Sequence, residues 1–560
     1  MQNILLFILF YILVFFLGRA SSNALLRFLN IRDSSEAQKI FGISFYIFYP
    51  LIGLFFLGNY ALIVNFFNGI ANVYYLSSVL LFIVYFNLKP LRIFENKNLL
   101  FLKFIIVPSI LSLSSLQIGF ARDAGGYHLN YQNWIRTEQM TYGLYLLNPQ
   151  YGFTSILDYI NANFWINNNM ILLHYVNLTF LVVIFTAILQ LITTNSNKKA
   201  ISFLVTFIIF GILDNFGKNG GKNGFIEIDS VPKQDTAYSV IAIILFFFFL
   251  DIFISRIKDE KGFIISDIEL LILFIFVTFA IQLRTLGVTF LLLMVILLID
   301  KRINLFTKKN INLIVLFTCF NLFWFTKNML LTGCLIFPLN YTCIENLPWS
   351  NKELIEFASL DLLKYWHGGY ELANFNKWLD VWLENSINST FIYNFILSST
   401  VIFIVLSLFF KVNTKLLTKE WLGLFLFLLI NFSLWITTAP SPRLGNSIFL
   451  SFILLFSYVL YPKVSFFENL LIKRLMMLFT ILVVIGMPRL SNYQEITREP
   501  FSYNFLTAQK IEYIKKTDSS VYGVNSKDGV TCWINIKCVN FGREAFLKDT
   551  TFFYSFFTYK

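Results

Sequence analysis

The chain has 560 residues, of which 57% are hydrophobic and 14% charged, with a mean hydropathy of +0.67. A soluble protein carries nearer a quarter charged residues, so a soluble globular fold is excluded and a polytopic all-α membrane protein is expected. The net charge of +12 is read as basic residues gathered in cytoplasmic loops, not as a nucleic-acid surface, and no nucleic-acid partner is expected.

Apolar runs of membrane-spanning character come first at residues 4–18, 40–64, 70–86 and 99–115. A second group lies at 171–194, 201–213, 237–254, 268–283 and 286–299, and a third at 311–325, 391–410, 421–438, 447–461 and 475–487. About 12–14 transmembrane helices are expected, because 201–213, 268–283 and 286–299 are short for a bilayer and one of them is a candidate re-entrant segment. Three parts follow: additional N-terminal helices (1–98), a membrane domain (99–488) with external loops 116–170 and 329–390, and a small cap (489–560). In the cap, 520–525 and 530–540 read as short strands about a Lys527-Asp528-Gly529 turn.

Alternate loops carry the Lys and Arg: 19–39, 89–98, 195–200, 255–267, 301–310, 411–420 and 462–474 each hold two to four. The rule that cytoplasmic loops are basic places these inside. Loops 116–170 and 329–390, both termini and the cap then lie outside a bacterial inner membrane. The run at 4–18 lacks a basic start and reads as a first helix, not a cleaved signal.

Cysteine positions agree. Cys319 lies within an apolar run, whereas Cys334/Cys343 and Cys532/Cys538 form two close pairs in segments assigned to the outside, where disulfides persist. Neither spacing is a zinc pattern, so two local disulfides are expected.

Four polar features share the outer side. Asp123, with Tyr127 and His128, follows the run at 99–115; Asp235 immediately precedes the run at 237–254. Arg284 and Arg443 are isolated cations between spans, and Lys327 emerges at the outer end of a helix in WFTKNMLLTGCLIFP (324–338). Acids and cations at one membrane face suit a reaction in which a carboxylate takes a proton from an acceptor hydroxyl while cations hold a departing phosphate. Each also has a plainer reading: Asp235 as a helix cap, Arg284 and Lys327 as interfacial charges, His128 as a loop hydrogen-bonding group. His174 and His367 are expected to be structural, and Tyr131, Trp134 and Tyr142 to be interfacial anchors. Trp378, Leu379, Trp382 and Leu383 recur at helical spacing and suggest an amphipathic helix on the outer membrane surface.

The arrangement resembles the GT-C superfamily of membrane glycosyltransferases, in particular bacterial members of the RgtA/B/C/D-like or ArnT-like kind. It also resembles a large, mostly uncharacterised bacterial family of polytopic membrane proteins, through DAGGYH (123–128), WFTKNMLLTGCLIFP (324–338), APSPRLG (439–445) and CWINIKC (532–538). Asp123 and Tyr127 match the outer elements of the GT-C first-loop pattern, and Asp235 matches the second acid one external loop later. Ala124 departs from it where a second acid is usual, and four helices precede the loop, three more than in GT-C enzymes. The resemblance implies a GT-C-like bundle and inverting transfer of a sugar from a polyprenyl-phosphate donor to an envelope glycan or lipid acceptor. Asp123 would be the base or a metal ligand, Asp235 would assist by orienting acceptor or metal, and Arg443, Arg284 and Lys327 would grip phosphate, with Tyr127 and His128 contributing to binding. No cofactor is firmly expected; a divalent cation (Mg or Mn) is what the resemblance admits, and one acid per loop favours metal independence. An envelope polysaccharide polymerase or ligase is the alternative, weakened by the absence of Arg from 329–390; a lipid-linked glycan transporter ranks third.

Overall fold

The structure is a computed structural model. It describes residues 2–31, 38–89, 96–120, 123–166, 169–193, 202, 206, 230–231, 234–255, 265–300, 307–367, 369–371, 374–412, 419–462, 470–488 and 490–498. It also describes strand segments 512–515, 522–525, 538–539, 545–548 and 556–559.

Three helices open the chain, α1 (Gln2–Phe28), α2 (Tyr49–Asn65) and α3 (Val73–Phe86). Next, α4 runs over Lys97–Leu116, and α5 (Leu129–Thr137) and α6 (Ile156–Ala162) lie in the loop beyond it. The centre is formed by α7 (Ile171–Thr193), α8 (Asp235–Leu250) and α9 (Asp267–Leu283), followed by α10 (Phe290–Ile299) and α11 (Lys308–Thr332). After them come α12 (Lys352–Trp366), α13 (Phe375–Glu384), α14 (Ser386–Phe409), α15 (Lys419–Thr438), α16 (Pro442–Val459), α17 (Leu470–Gly486) and α18 (Leu490–Arg498).

This is an all-α, multi-pass membrane-helix bundle. Among the described residues, seven helices are long and apolar enough to cross a bilayer: Gln2–Phe28, Phe45–Asn65, Lys97–Leu116, Ile171–Thr193, Asp235–Ile254, Lys308–Thr332 and Trp421–Thr438. The other apolar runs of the expected 12–14 form shorter helices or helices whose side chains are only partly described, such as Asp267–Leu283 and Ser386–Phe409. Apolar runs do not equal spans: α3, with 14 residues, is about 21 Å long, well short of a ~30 Å hydrocarbon layer. The expected run at 201–213 lies outside the described residues, apart from Ser202 and Thr206.

Helices α7 and α8 are buried along nearly their whole length, so they form the axis of the bundle. Helices α1, α3 and α11 turn Leu9, Leu80, Leu81 and Val315 outward, as lipid-facing helices do. Helices α1 and α2 pack closely through glycine: a Cβ on Gly18 would lie 1.6 Å from the Tyr49 carbonyl oxygen, and one on Gly53 would lie 2.7 Å from that of Val14. Small residues let backbones approach where lipid supplies no hydrophobic drive. A reciprocal amide pair, Asn59 and Gln282 at 3.0 and 2.8 Å, locks α2 to the end of α9 and so sets where Arg284 emerges.

Two expectations about peripheral elements are corrected. The cap strands Tyr522–Asn525 and Cys538–Val539 are parallel neighbours, with Tyr522 opposite Cys538, so no tight turn joins them. Glu512–Lys515 pairs antiparallel on the other side. The tryptophans of α13 meet protein: Trp378 and Trp382 are buried, and the Trp382 indole N–H donates to the Pro440 carbonyl, while Leu383 stays exposed. Tyr131 and Trp134 are likewise buried inside the protein, because α5 packs against α6.

Candidate functional site

A two-residue strand pair brings the two acidic segments together. Gly119–Phe120 runs parallel to Ser230–Val231, in register 119 with 230 and 120 with 231. Asp123 lies three residues beyond the first strand and Asp235 four beyond the second. Each then begins a helix. Asp123 precedes a π turn (Ala124–His128) that continues into α5, and Asp235 is the first residue of α8.

Asp235 is the hub of the ion pairs. Arg284, at the C-terminal end of α9, places its Nη2 on Oδ1 of Asp235. Nη1 of Arg443 lies 3.8 Å from the other carboxylate oxygen. The Arg284 guanidinium also sits over the Tyr238 ring, 4.9 Å from its centroid. Two packings make this possible, α9 antiparallel to α8 and α16 parallel to it. α9 ends beside the start of α8, and α16, packed along α8, starts at the same end. A carboxylate at a helix N-terminus is favoured there by the helix dipole, and two cations add to this.

The turn before Arg443 is held from two sides. Trp382 donates to Pro440 O, and Trp435 Nε1 donates to Ser441 O at 2.9 Å. Pro442 stands at the first position of α16, where its fixed φ suits helix entry. His367 acts in the same support, with Nε2 3.1 Å from the Ile436 carbonyl. His174 bonds Ser114 at 2.8 Å deep in the bundle, a structural contact.

Asp123 differs from Asp235. It is half-buried, and among the described residues its carboxylate has no hydrogen-bond or ion-pair partner. One helical turn on, Tyr127 is under the charges of Asp123, Asp158, Arg443 and Asp235. Burial, then the negative charges of Asp123 and Asp158, hold the Tyr127 phenol well above the usual range, against the pull of Arg443. It therefore stays protonated and offers an O–H donor.

Asp158 is a component that sequence reading missed. It closes the N-terminal cap of α6, accepting from the Ser155 backbone N–H at 3.1 Å, and it also accepts from His128 Nδ1 at 3.1 Å and Gln132 Nε2 at 3.3 Å. Ser155 in turn donates its hydroxyl to the Leu283 carbonyl at 3.0 Å, tying the loop to the residue before Arg284. The signal was present: Ser155-x-x-Asp158 is a capping-box pattern. His128 thus belongs to the site, as Asp158's partner.

Lys327 does not emerge at the surface. It is fully buried, donates to Thr154 Oγ1 at 2.7 Å and lies 3.7 Å from the Trp324 ring centroid. After it, α11 ends at Gly333, whose φ of 82° is a left-handed helix stop. Cys334 and Cys343 form the expected disulfide, closing a loop whose Phe337 wedges against Tyr145 and Phe153. A Cβ at Gly152 would sit 2.4 Å from the Phe337 ring, so this wedge needs glycine beneath it. Cys532 lies outside the described residues, and so does its pairing with Cys538.

Between these elements lies a cavity of about 140 Å³, lined by Gln234, Arg284, Trp324 and Phe337 among others. Arg284, Arg443, Asp235, Asp123, Tyr127 and His128 are therefore gathered at one end of the bundle, and Lys327 lies behind them. Among the described residues, no group of three or more His, Cys, Asp or Glu is arranged to hold a metal ion.

The family described as "Domain of unknown function (DUF8201)" matches residues 1–450, and the chain belongs to that family. No curated protein and no solved structure matches the chain.

Proposed function

We propose that this member of the family is an inverting glycosyltransferase, moving a sugar from a polyprenyl-phosphate donor to a glycan or lipid acceptor at the outer face of a bacterial inner membrane. The observation that carries the reading is the carboxylate of Asp123: half-buried, without a partner among the described residues, and within electrostatic reach of a phenol that Arg443 and Asp235 also act on. Its lone pairs are open to an acceptor hydroxyl.

In the proposed step the acceptor O–H proton passes to Asp123 and the acceptor oxygen bonds to the anomeric carbon from the face opposite the phosphate. The anomeric C–O bond breaks, and the electron pair leaves with the polyprenyl phosphate. Arg443, at the edge of the ion-pair cluster, would stabilise that leaving charge. Tyr127 supplies an O–H donor beside it. Asp235 serves as the anchor that holds Arg284 and Arg443, which narrows its proposed role from catalytic assistant to positioning residue.

The outer location is supported by the basic cytoplasmic loops and by the Cys334–Cys343 disulfide, whose loop walls the same end of the bundle. Asp123→Asn, expressed in the native host, tests the reading: loss of one envelope glycan with normal insertion is expected. Unchanged glycans with normally inserted protein would sink it.

A further inference from the structure

We infer that the protein thins the bilayer it sits in, and that the thinning at one edge draws the outer lipid headgroups to the level of Arg284. This deepens the proposed reaction and rests on it for the lipid-linked substrate delivered there, though not for the thinning. Two lipid-facing stretches are its source. α3 has 14 residues and is about 21 Å long. The continuous apolar stretch Thr285–Ile299, a 3-10 turn followed by α10, reaches about 25 Å. An ordinary hydrocarbon layer is about 30 Å thick.

Short as it is, α3 joins two opposite faces. At its outer end, Asn72 caps the helix by accepting from the Tyr75 backbone N–H at 2.8 Å, and the Tyr75 hydroxyl donates to Asn163 Oδ1 in the outer loop. Ahead of the cap, Ile70 and Ala71 donate their backbone N–H groups to the Ile135 and Arg136 carbonyls of the same loop. At the inner end, Asn87 donates to the Phe16 and Ile83 carbonyls and accepts from Arg19 Nη1 at 3.4 Å. Asn23 donates to the Phe86 carbonyl beside it. Arg19 also ends the apolar run 4–18 of α1, so the two helices leave the apolar layer at one level. Both asparagine side chains are short and engaged, so neither extends the reach of α3 through lipid. Tilting the helix would shorten its span further.

The surface between these ends is lipid contact. Leu76, Leu80, Leu81 and Val84 are exposed, beside the exposed Leu5, Leu9 and Leu13 of α1. Tyr74 and Tyr85 stand exposed at the two ends, at 89% and 60%, and tyrosine in that position marks a membrane–water interface. Their Cα atoms are about 16 Å apart along the helix. A covering protein would call for no such pair of interfacial anchors. The α10 edge repeats the pattern, with Leu291, Leu292, Val295 and Ile299 exposed between Arg284 and Asp300. A bilayer that meets helices this short thins to match them. Thr285 is exposed and directly follows Arg284, so headgroups that meet the top of this stretch meet the Asp235–Arg284 pair.

The test is depth-dependent quenching of a bimane on single cysteines, with the full chain in dioleoyl-phosphatidylcholine vesicles. The cysteines are Tyr74→Cys, Leu80→Cys, Tyr85→Cys and Thr285→Cys, in a background with Cys319→Ser, Cys532→Ser and Cys538→Ser. All four labelled positions are exposed, so the label displaces no core packing. A headgroup spin label should quench the bimane at Tyr74, Tyr85 and Thr285 more than a mid-chain label does, and the order should reverse at Leu80. The melting temperature of the wild-type chain should fall by several degrees from dimyristoleoyl to the longer dierucoyl lipid. Three results would overturn the inference. Mid-chain quenching that dominates at Tyr85 or Thr285 would put the headgroups beyond the helix ends. Quenching by neither label at Leu80 would show that protein covers α3. A melting temperature that fails to fall with chain length would remove the mismatch. The two readings separate cleanly. Thinning with intact glycans in Asp123→Asn would keep the edge and remove the transferase; lost glycans with mid-chain quenching at Thr285 would keep the transferase and remove the edge.

Discussion

Arg284 closes on the carboxylate of Asp235 across 49 residues of chain, joining the end of one buried helix to the start of another. Both side chains are mostly buried, at 14% and 10% exposure, so each depends on the other for its charge. Removing one partner of such a pair leaves an uncompensated charge and costs up to about 3–5 kcal/mol. Asp235→Asn should therefore lower the melting temperature in detergent markedly. The double variant Asp235→Asn with Arg284→Gln should recover part of the loss. Additive losses in a double-mutant cycle would show that the pair is not coupled.

Asp158 is expected to matter for structure before chemistry. Asp158→Asn removes the charge that holds His128 and weakens the cap of α6. A loss of about 1–2 kcal/mol follows from one cap and one charged hydrogen bond. Ser155→Ala should cost a comparable amount, and thermal unfolding of the two variants checks this. Wild-type stability in both would remove the capping box from the account.

The glycines at the α1–α2 crossing set a steric limit. Gly18→Val would force the helices apart, because even a Cβ meets the Tyr49 carbonyl at 1.6 Å. The cost should reach or exceed the upper end of the about 1–3 kcal/mol typical of overpacking. Gly423→Ala is the control, since nothing lies within 4 Å of a Cβ there. It should be neutral or stabilising by up to about 1 kcal/mol, the helix-propensity gain. Equal melting temperatures for Gly18→Val and wild type would contradict the packing.

Arg443 should lose its aim when its turn is loosened. Trp382→Phe keeps the ring contact with Trp435 and deletes the bond to the Pro440 carbonyl. The stability loss should be modest, about 1 kcal/mol. If Arg443 serves the proposed transfer, Trp382→Phe should reproduce part of the glycan defect of Arg443→Gln. A defect in Arg443→Gln with none in Trp382→Phe would show that the turn's support is dispensable.

Orientation can be read with a single cysteine. Glu138 is exposed, in the loop assigned to the outside. Glu138→Cys, in a background with Cys319→Ser, should react with a membrane-impermeant maleimide on intact cells or spheroplasts. Labelling only after permeabilisation would invert the topology.

Much of the bundle was legible along the chain, because a spanning helix must satisfy its own backbone and be apolar over its length, and both demands are local. Of the fourteen apolar runs, all but 201–213 coincide with described helices, and the Cys334–Cys343 spacing led to the bond that formed. Helix lengths were less legible, since an apolar stretch such as Val73–Phe86 has no local mark that says whether it crosses. The two tryptophans of α13 were misassigned for a related reason: at helical spacing they look alike whether they meet lipid or the Pro440 turn.

The sequence by itself determined that acids and cations stand at helix ends on one side, because alternation of spans and the bias of basic loops are properties of chain order. Only the tertiary structure decided their partners. Asp235 took both arginines because α9 and α16 pack against α8; Asp123 was left open; Asp158 gathered His128; and Lys327 turned inward to Thr154. In the sequence these are equivalent charges near helix ends. Their difference comes from contacts spanning up to 208 residues, as between Asp235 and Arg443, and such contacts exist only once the helices have packed.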